Sequence, residues 1–146
     1  MVYIPLFGDK MIVIKQIDDK ELVQLIELFI VYNQCLITKH NKYISTKILL
    51  DRLILEDSKA IGLYVKEKLE GFTLGNALDN DTFHFTDMYV TPRYRIYVKK
   101  LLDGSEKFLE GKYKAWTSES HTKAGIKMFE HYGAETIQIK YYKELL

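Results

Sequence analysis

The residues best equipped for chemistry fall in one bend. Across residues 89–102, "YVTPRYRIYVKKLL", a strand-like start gives way to helical spacing, and the junction carries Arg93 and Arg95 but no glycine. A guanidinium presents a rigid fork of N–H donors that fits phosphate oxygens. Only three of the 21 basic residues are arginines, so the pair stands out. Its members are either phosphate donors or ion-paired surface groups. Cys35 is the single cysteine, which excludes an internal disulfide, and the apolar stretches around it make it a buried, inert thiol rather than a nucleophile. His40, His84, His121 and His131 share no metal-ligand spacing with Cys35 or with carboxylates, so no metal site is expected. P-loop, Rossmann and serine-elbow signatures are absent.

The elements that must position this bend belong to one domain over residues 1–146, with 1–10 as an N-terminal arm or extra strand. The chain is 47% hydrophobic and 28% charged, as in ordinary globular proteins. A net charge of +1 provides no field for gathering nucleic acid or anionic lipid. No apolar run approaches the roughly 18–20 residues that span a bilayer. The start has no signal-peptide pattern, and a cytoplasmic location is expected. Lysine-rich, isoleucine-rich and tyrosine-rich usage reads as AT-rich coding in a bacterium or phage.

Residues 11–17 are β-branched and predict a strand. Asp18 or Asp19 offers an N-cap to a helix with Leu22, Leu25, Ile26, Phe29 and Ile30 at helical spacing. Residues 33–43 read as a partly ordered loop. Ser45 caps a second helix over 46–56, expected to turn Ile48, Leu49, Leu53 and Ile54 inward. Residues 60–67 and 69–76 flank a tight turn and predict a hairpin, followed by an antiparallel strand over 81–90. A helix over 96–109 contains Gly104, which costs up to about 1 kcal/mol there and predicts a kink or a split. A strand over 112–119, a helix over 121–132 with Gly133 as its αL cap, and a strand over 135–142 complete the chain. The order is β-α-α-β-β-β-α-β-α-β. This is a mixed α/β domain whose central sheet is flanked by about four helices.

That order resembles the GNAT superfamily of acetyl-CoA-dependent N-acetyltransferases. Residues 88–95, "MYVTPRYR", are similar to the family's fourth strand and the approach to its pyrophosphate loop. Met88, Tyr89, Val90, Pro92, Tyr94 and Arg95 fit the pattern. Residues 122–135, "TKAGIKMFEHYGAE", are similar to its late helix and the turn after it, through Gly125, Glu130 and Gly133. The resemblance implies that backbone groups of Met88, Tyr89 and Val90 pair with pantetheine. It places the pyrophosphate at Arg93, Arg95 and the helix start at Ile96, Tyr97 and Val98. His84, Asp87 and Glu119 lie on or beside the two strands that splay around acetyl-CoA, where a general base belongs. His84 is either that base or a solvent-facing strand residue, and Glu119 either a base or the cap of the next helix.

The departures fall where the chemistry should be. After Arg95 the family continues with glycines whose backbone N–H groups turn to the pyrophosphate at a helix N-terminus. Here Ile96, Tyr97 and Val98 follow directly, and the loop is about three residues short. Two lost hydrogen bonds to a charged group, at about 1.5–3 kcal/mol each, weaken binding by roughly 10²–10⁴. The family's asparagine falls on Thr122 and its general-acid tyrosine on Phe129, which has no proton to give. Tyr132 is either a substitute acid or a packed ring.

The resemblance with these departures implies a protein that has lost acetyl-CoA catalysis. It is expected to act as an interaction or structural protein, with a protein partner or by self-association, and without nucleic acid or membrane. Reduced domains similar to this one occur among tailed-phage proteins, including virion components, so a phage-encoded chain has a place in a virion. The alternative is an active acetyl-CoA-dependent N-acetyltransferase acting on a small amine or protein amino group. A remaining reading is an unrelated α+β module with chance motif matches. Parallel, splayed fourth and fifth strands would argue against that one.

Overall fold

β-branched and aromatic runs separated by short turns build a sheet whose strands lie in chain order. The computed structural model describes residues 2–5, 11–40, 45–55, 57–119 and 123–134. Its strands are β1 (Val2–Pro5), β2 (Met11–Gln16), β3 (Lys59–Val65), β4 (Lys68–Ala77), β5 (Thr82–Val90) and β6 (Ala115–Ser118). β1 to β5 pair antiparallel, and β6 runs parallel to β5. The expected closing strand over 135–142 lies outside the described residues, as does Thr122.

Helices cover both faces. On one side lie α1 (Leu22–His40) and α2 (Thr46–Leu53), and on the other α3 (Val98–Leu109) and α4 (Lys123–His131). Alternation along the strands sorts the core into two layers. Leu25, Leu28, Phe29 and Leu49 meet Ala60, Tyr64, Phe72 and Leu74 beneath α1 and α2. Ile12, Ile14, Ile61, Leu63 and Val65 meet Leu101 beneath α3.

Several expectations are corrected. Residues 33–40 continue α1 rather than forming a loop, because Asn33 is buried and Cys35 packs against the α1 core. In α2 only Leu49 is buried and Leu53 partly so, whereas Ile48 and Ile54 are exposed. A single short helix has room for one inward row. Ser45 caps it as expected, accepting from the Ile48 N–H. Gly104 causes no kink, since α3 runs unbroken. A Cβ there would stand 2.5 Å from Ile14 Cγ2, so glycine lets α3 lie close on β2. Gly133, at φ +100°, closes α4 by donating to the Glu130 carbonyl, as its αL cap requires.

Candidate functional site

β5 is the axis of the site, and a bulge divides it. Leu74 pairs with Asp87 while the adjacent Gly75 pairs with Phe85, leaving Thr86 as an extra residue. The bulge reverses which residues face which layer. Below it Phe83 and Phe85 pack with Leu109, Tyr113 and Trp116 on the α3 side. Above it Asp87 and Tyr89 face α1 and α2, and Val90 faces α3. The parallel partner ends at the same point: β6 pairs with residues 82–85 of β5 and goes no further. Among the described residues, Met88, Tyr89 and Val90 therefore pair with β4 on one edge only. Among the described residues, no strand pairs with the backbone groups along the other edge, the arrangement an extended ligand would need.

The turn that follows is helical. Residues Pro92–Tyr97 form two short 3₁₀ turns that break at Tyr94 (φ −114°, ψ 15°) and lead into α3. Pro92 has no N–H, the Tyr94 N–H donates to the Thr91 carbonyl at 2.9 Å, and the Val98 N–H donates to the Arg95 carbonyl. None of residues 92–98 has a positive φ. Tyr94, Tyr97 and Val98 pack against the α3-side core, while Ile96 is 80% exposed. A pyrophosphate cradle needs consecutive free N–H groups turned toward one point. This backbone spends two of its donors internally and does not fit that group. Arg93 lies over the Tyr94 ring at 5.6 Å. Neither Arg93 nor Arg95 has an ion-pair partner among the described residues.

On the α1 and α2 side a polar network surrounds Asp87. Its carboxylate is buried and accepts from Arg52 of α2, from Thr86 Oγ1 at 2.9 Å and from Tyr32 Oη of α1 at 3.5 Å. Burial, with the Asp87 carboxylate next in size, raises the Tyr32 pKa, and the Arg52 guanidinium pulls the other way. Tyr89 stacks near Tyr32 and Phe72, and its hydroxyl lies 3.8 Å from Cys35 Sγ. Burial and that thiol push the Tyr89 pKa up to about 12, opposed by Arg95. Sequence reading singled out Asp87 but missed Arg52 and Tyr32. Arginine scarcity was the available signal for Arg52, since it is one of the chain's three.

The other candidates are placed apart. His84 Nδ1 is 2.8 Å from Thr117 Oγ1 across the β5–β6 pair, and Glu119 is exposed just beyond the end of β6. Tyr132 donates to Asp103 Oδ1 of α3 at 2.7 Å. Burial, then Asp103 and Glu106, raise its pKa. Phe129 and Tyr132 both stack on Trp116, whose Nε1–H donates to Glu106. An apolar groove of about 240 Å³ separates the two helices, lined by Val98, Lys99, Leu102, Met128, His131 and Tyr132. Among the described residues no three His, Cys, Asp or Glu side chains gather as a metal site.

No family model and no curated protein matches the chain. Solved structures do match. An aminoglycoside acetyltransferase, meta-AAC0020, from an uncultured soil metagenomic sample and in complex with sisomicin, superposes with a TM-score of 0.72 at 15% identity, covering 92% of this chain and 97% of that one. A ribosomal-protein-alanine N-acetyltransferase from Brucella melitensis biovar Abortus 2308 gives 0.70 at 18% identity, with 92% and 99% covered. The aminoglycoside acetyltransferase AAC(6')-Iy, in complex with a bisubstrate analog of coenzyme A and acetylneamine, gives 0.66 at 14% identity, again with 92% and 99% covered. At these identities the fold is what is shared. The chain has the GNAT acetyltransferase fold, with parallel β5 and β6 in the place of the family's two splayed strands.

Proposed function

We propose that this GNAT-fold chain has lost acetyl-CoA catalysis and acts by binding, as an interaction or structural protein inside the cell or, if phage-encoded, in a virion. One observation carries the reading: the 3₁₀ winding of Pro92–Tyr97, which uses backbone donors internally where a pyrophosphate would need them. The family's general-acid position supports it, because Phe129 packs against Trp116 and Tyr132 commits its hydroxyl to a hydrogen bond with Asp103. Calorimetry with acetyl-CoA up to millimolar concentration is expected to give no binding heat, and a thiol-release assay over a panel of amines no turnover. Micromolar binding with turnover would overturn the reading.

A second reading, an acetyl-CoA-dependent N-acetyltransferase acting on a small amine or protein amino group, draws on Arg93 and Arg95. Neither guanidinium has an ion-pair partner among the described residues, and both belong to the turn that directly follows β5. In that case calorimetry detects acetyl-CoA, and the R93A/R95A double variant loses roughly 10²-fold or more in affinity.

A further inference from the structure

The outward face of α1 has the wrong composition for a helix facing water. Its inward row, Leu25, Leu28 and Phe29, is buried against the sheet, and the opposite row of such a helix is normally polar. Here Val23 is 67% exposed, Ile30 51% and Ile37 44%, at seven-residue intervals along one stripe. Exposed Glu27 and Gln34 fall between them, so the stripe reads Val23-Glu27-Ile30-Gln34-Ile37. Val31 widens it, neighbouring α2 adds exposed Ile48 and Leu50, and exposed Ile54 and Leu55 follow directly after α2. Apolar surface gathered like this marks an interaction face.

We infer that this face is the interface with a second copy of the chain, through antiparallel pairing of the two α1 helices about a two-fold axis at Ile30. The stripe is self-complementary when read backwards. Ile30 meets its own equivalent on the axis and Val23 meets Ile37 of the other copy, while Glu27, three residues from the axis, lies within one residue's rise of the other copy's Gln34, four residues from it, whose amide donates to the carboxylate. The two Glu27 side chains then stand three residues either side of the axis, about 9 Å apart along it at 1.5 Å per residue. Parallel pairing would set them directly against each other. A membrane surface is the poorer occupant, since interfacial helices carry Lys or Arg beside their apolar face and residues 22–38 contain neither. Against the expectation that no apolar run is long enough to span a bilayer, Asp19–Thr38 could cross one by length and composition alone, but its inward row is already committed to the sheet.

This names the partner for a chain that works by binding and rests on that reading. The two fail separately, because acetyl-CoA titration tests one and oligomeric state the other. Analytical ultracentrifugation of the full chain at about 100 μM, above the micromolar range reached by interfaces of ordinary size, is expected to show a dimer. Ile30→Glu, at an exposed position, should leave the far-ultraviolet circular dichroism unchanged and raise the dimer dissociation constant at least ~100-fold, since both copies lose the contact. In a Cys35→Ser background, Ile30→Cys should be linked into a covalent dimer by a short bismaleimide, and Lys107→Cys on α3 should not. A 17.2 kDa monomer at every concentration would overturn the inference. So would a dimer indifferent to Ile30→Glu and not linked through position 30, or a monomer that floats with phosphatidylcholine vesicles.

Discussion

The two halves of β5 make opposite use of the same strand. Below the Thr86 bulge, Phe83 and Phe85 feed a chain of aromatic rings through Tyr113 and Trp116 to Phe129 and Tyr132. Above it, Asp87 and Tyr89 belong to a network of charge and hydroxyl groups under α1 and α2. The α3 and α4 side is filled with rings, while the α1 and α2 side keeps a buried carboxylate. One residue of phase shift lets a nine-residue strand serve both.

The comparison breaks first at the aromatic end. Phe85 is 5% exposed and touches Phe83 and Trp116, so Phe85→Ala is expected to cost about 3–5 kcal/mol in urea unfolding. At the polar end the loss should be unequal between partners. The Asp87 side chain is 1% exposed and that of Arg52 30%. Arg52→Ala strands a buried carboxylate and should cost about 3 kcal/mol, whereas Asp87→Asn leaves a cation that can turn to water and should cost less. Equal losses in the two variants would mean that Asp87 is better supplied by Thr86 and Tyr32 than this ordering requires.

Alkaline titration sharpens the contrast further. Tyr89 has its folded pKa raised from 10.0 to about 12, and Tyr32 and Tyr132 are raised as well. Each contributes stability that is complete below the unfolded pKa and is lost as pH rises through the folded one. The melting temperature should therefore begin to fall near pH 10.0, and these phenols should ionise together with unfolding, followed by phenolate absorbance. Smallest of all is Phe129→Tyr, expected to shift stability by less than about 1 kcal/mol, since the ring is only half-buried. It should restore no acetyl transfer, because the turn before α3 is unchanged.

Much of this fold could be read from local pattern. The β3–β4 hairpin was visible as two strand-like runs about a tight turn, but that turn falls at Lys66 and Glu67, both with positive φ, rather than at residue 68. The helix over 33–40 was not visible, because Asn33, Gln34 and Thr38 look like loop residues when burial is unknown. That residues 92–98 contain no glycine was plain in the sequence. Their conformation was not: a 3₁₀ turn depends on where Tyr94 and Tyr97 find a core to pack on. Asp87 meets Arg52 from 35 residues away, and no periodicity encodes a pairing that distant.

Sheet order carries a last consequence, for how the chain folds. β3, β4 and β5 are joined by short turns, so their contacts close early at small entropic cost. Among the described strands β6 is the one that crosses over to lie parallel to its neighbour, and only four residue pairs hold it there, whereas β2 and β3, also far apart in the chain, pair antiparallel over five. In pulse-labelled hydrogen exchange, protection should appear last, and be lost first, at Ala115–Ser118. The mouth between β5 and β6 would then be the slowest part of the molecule to assemble and the first to come apart.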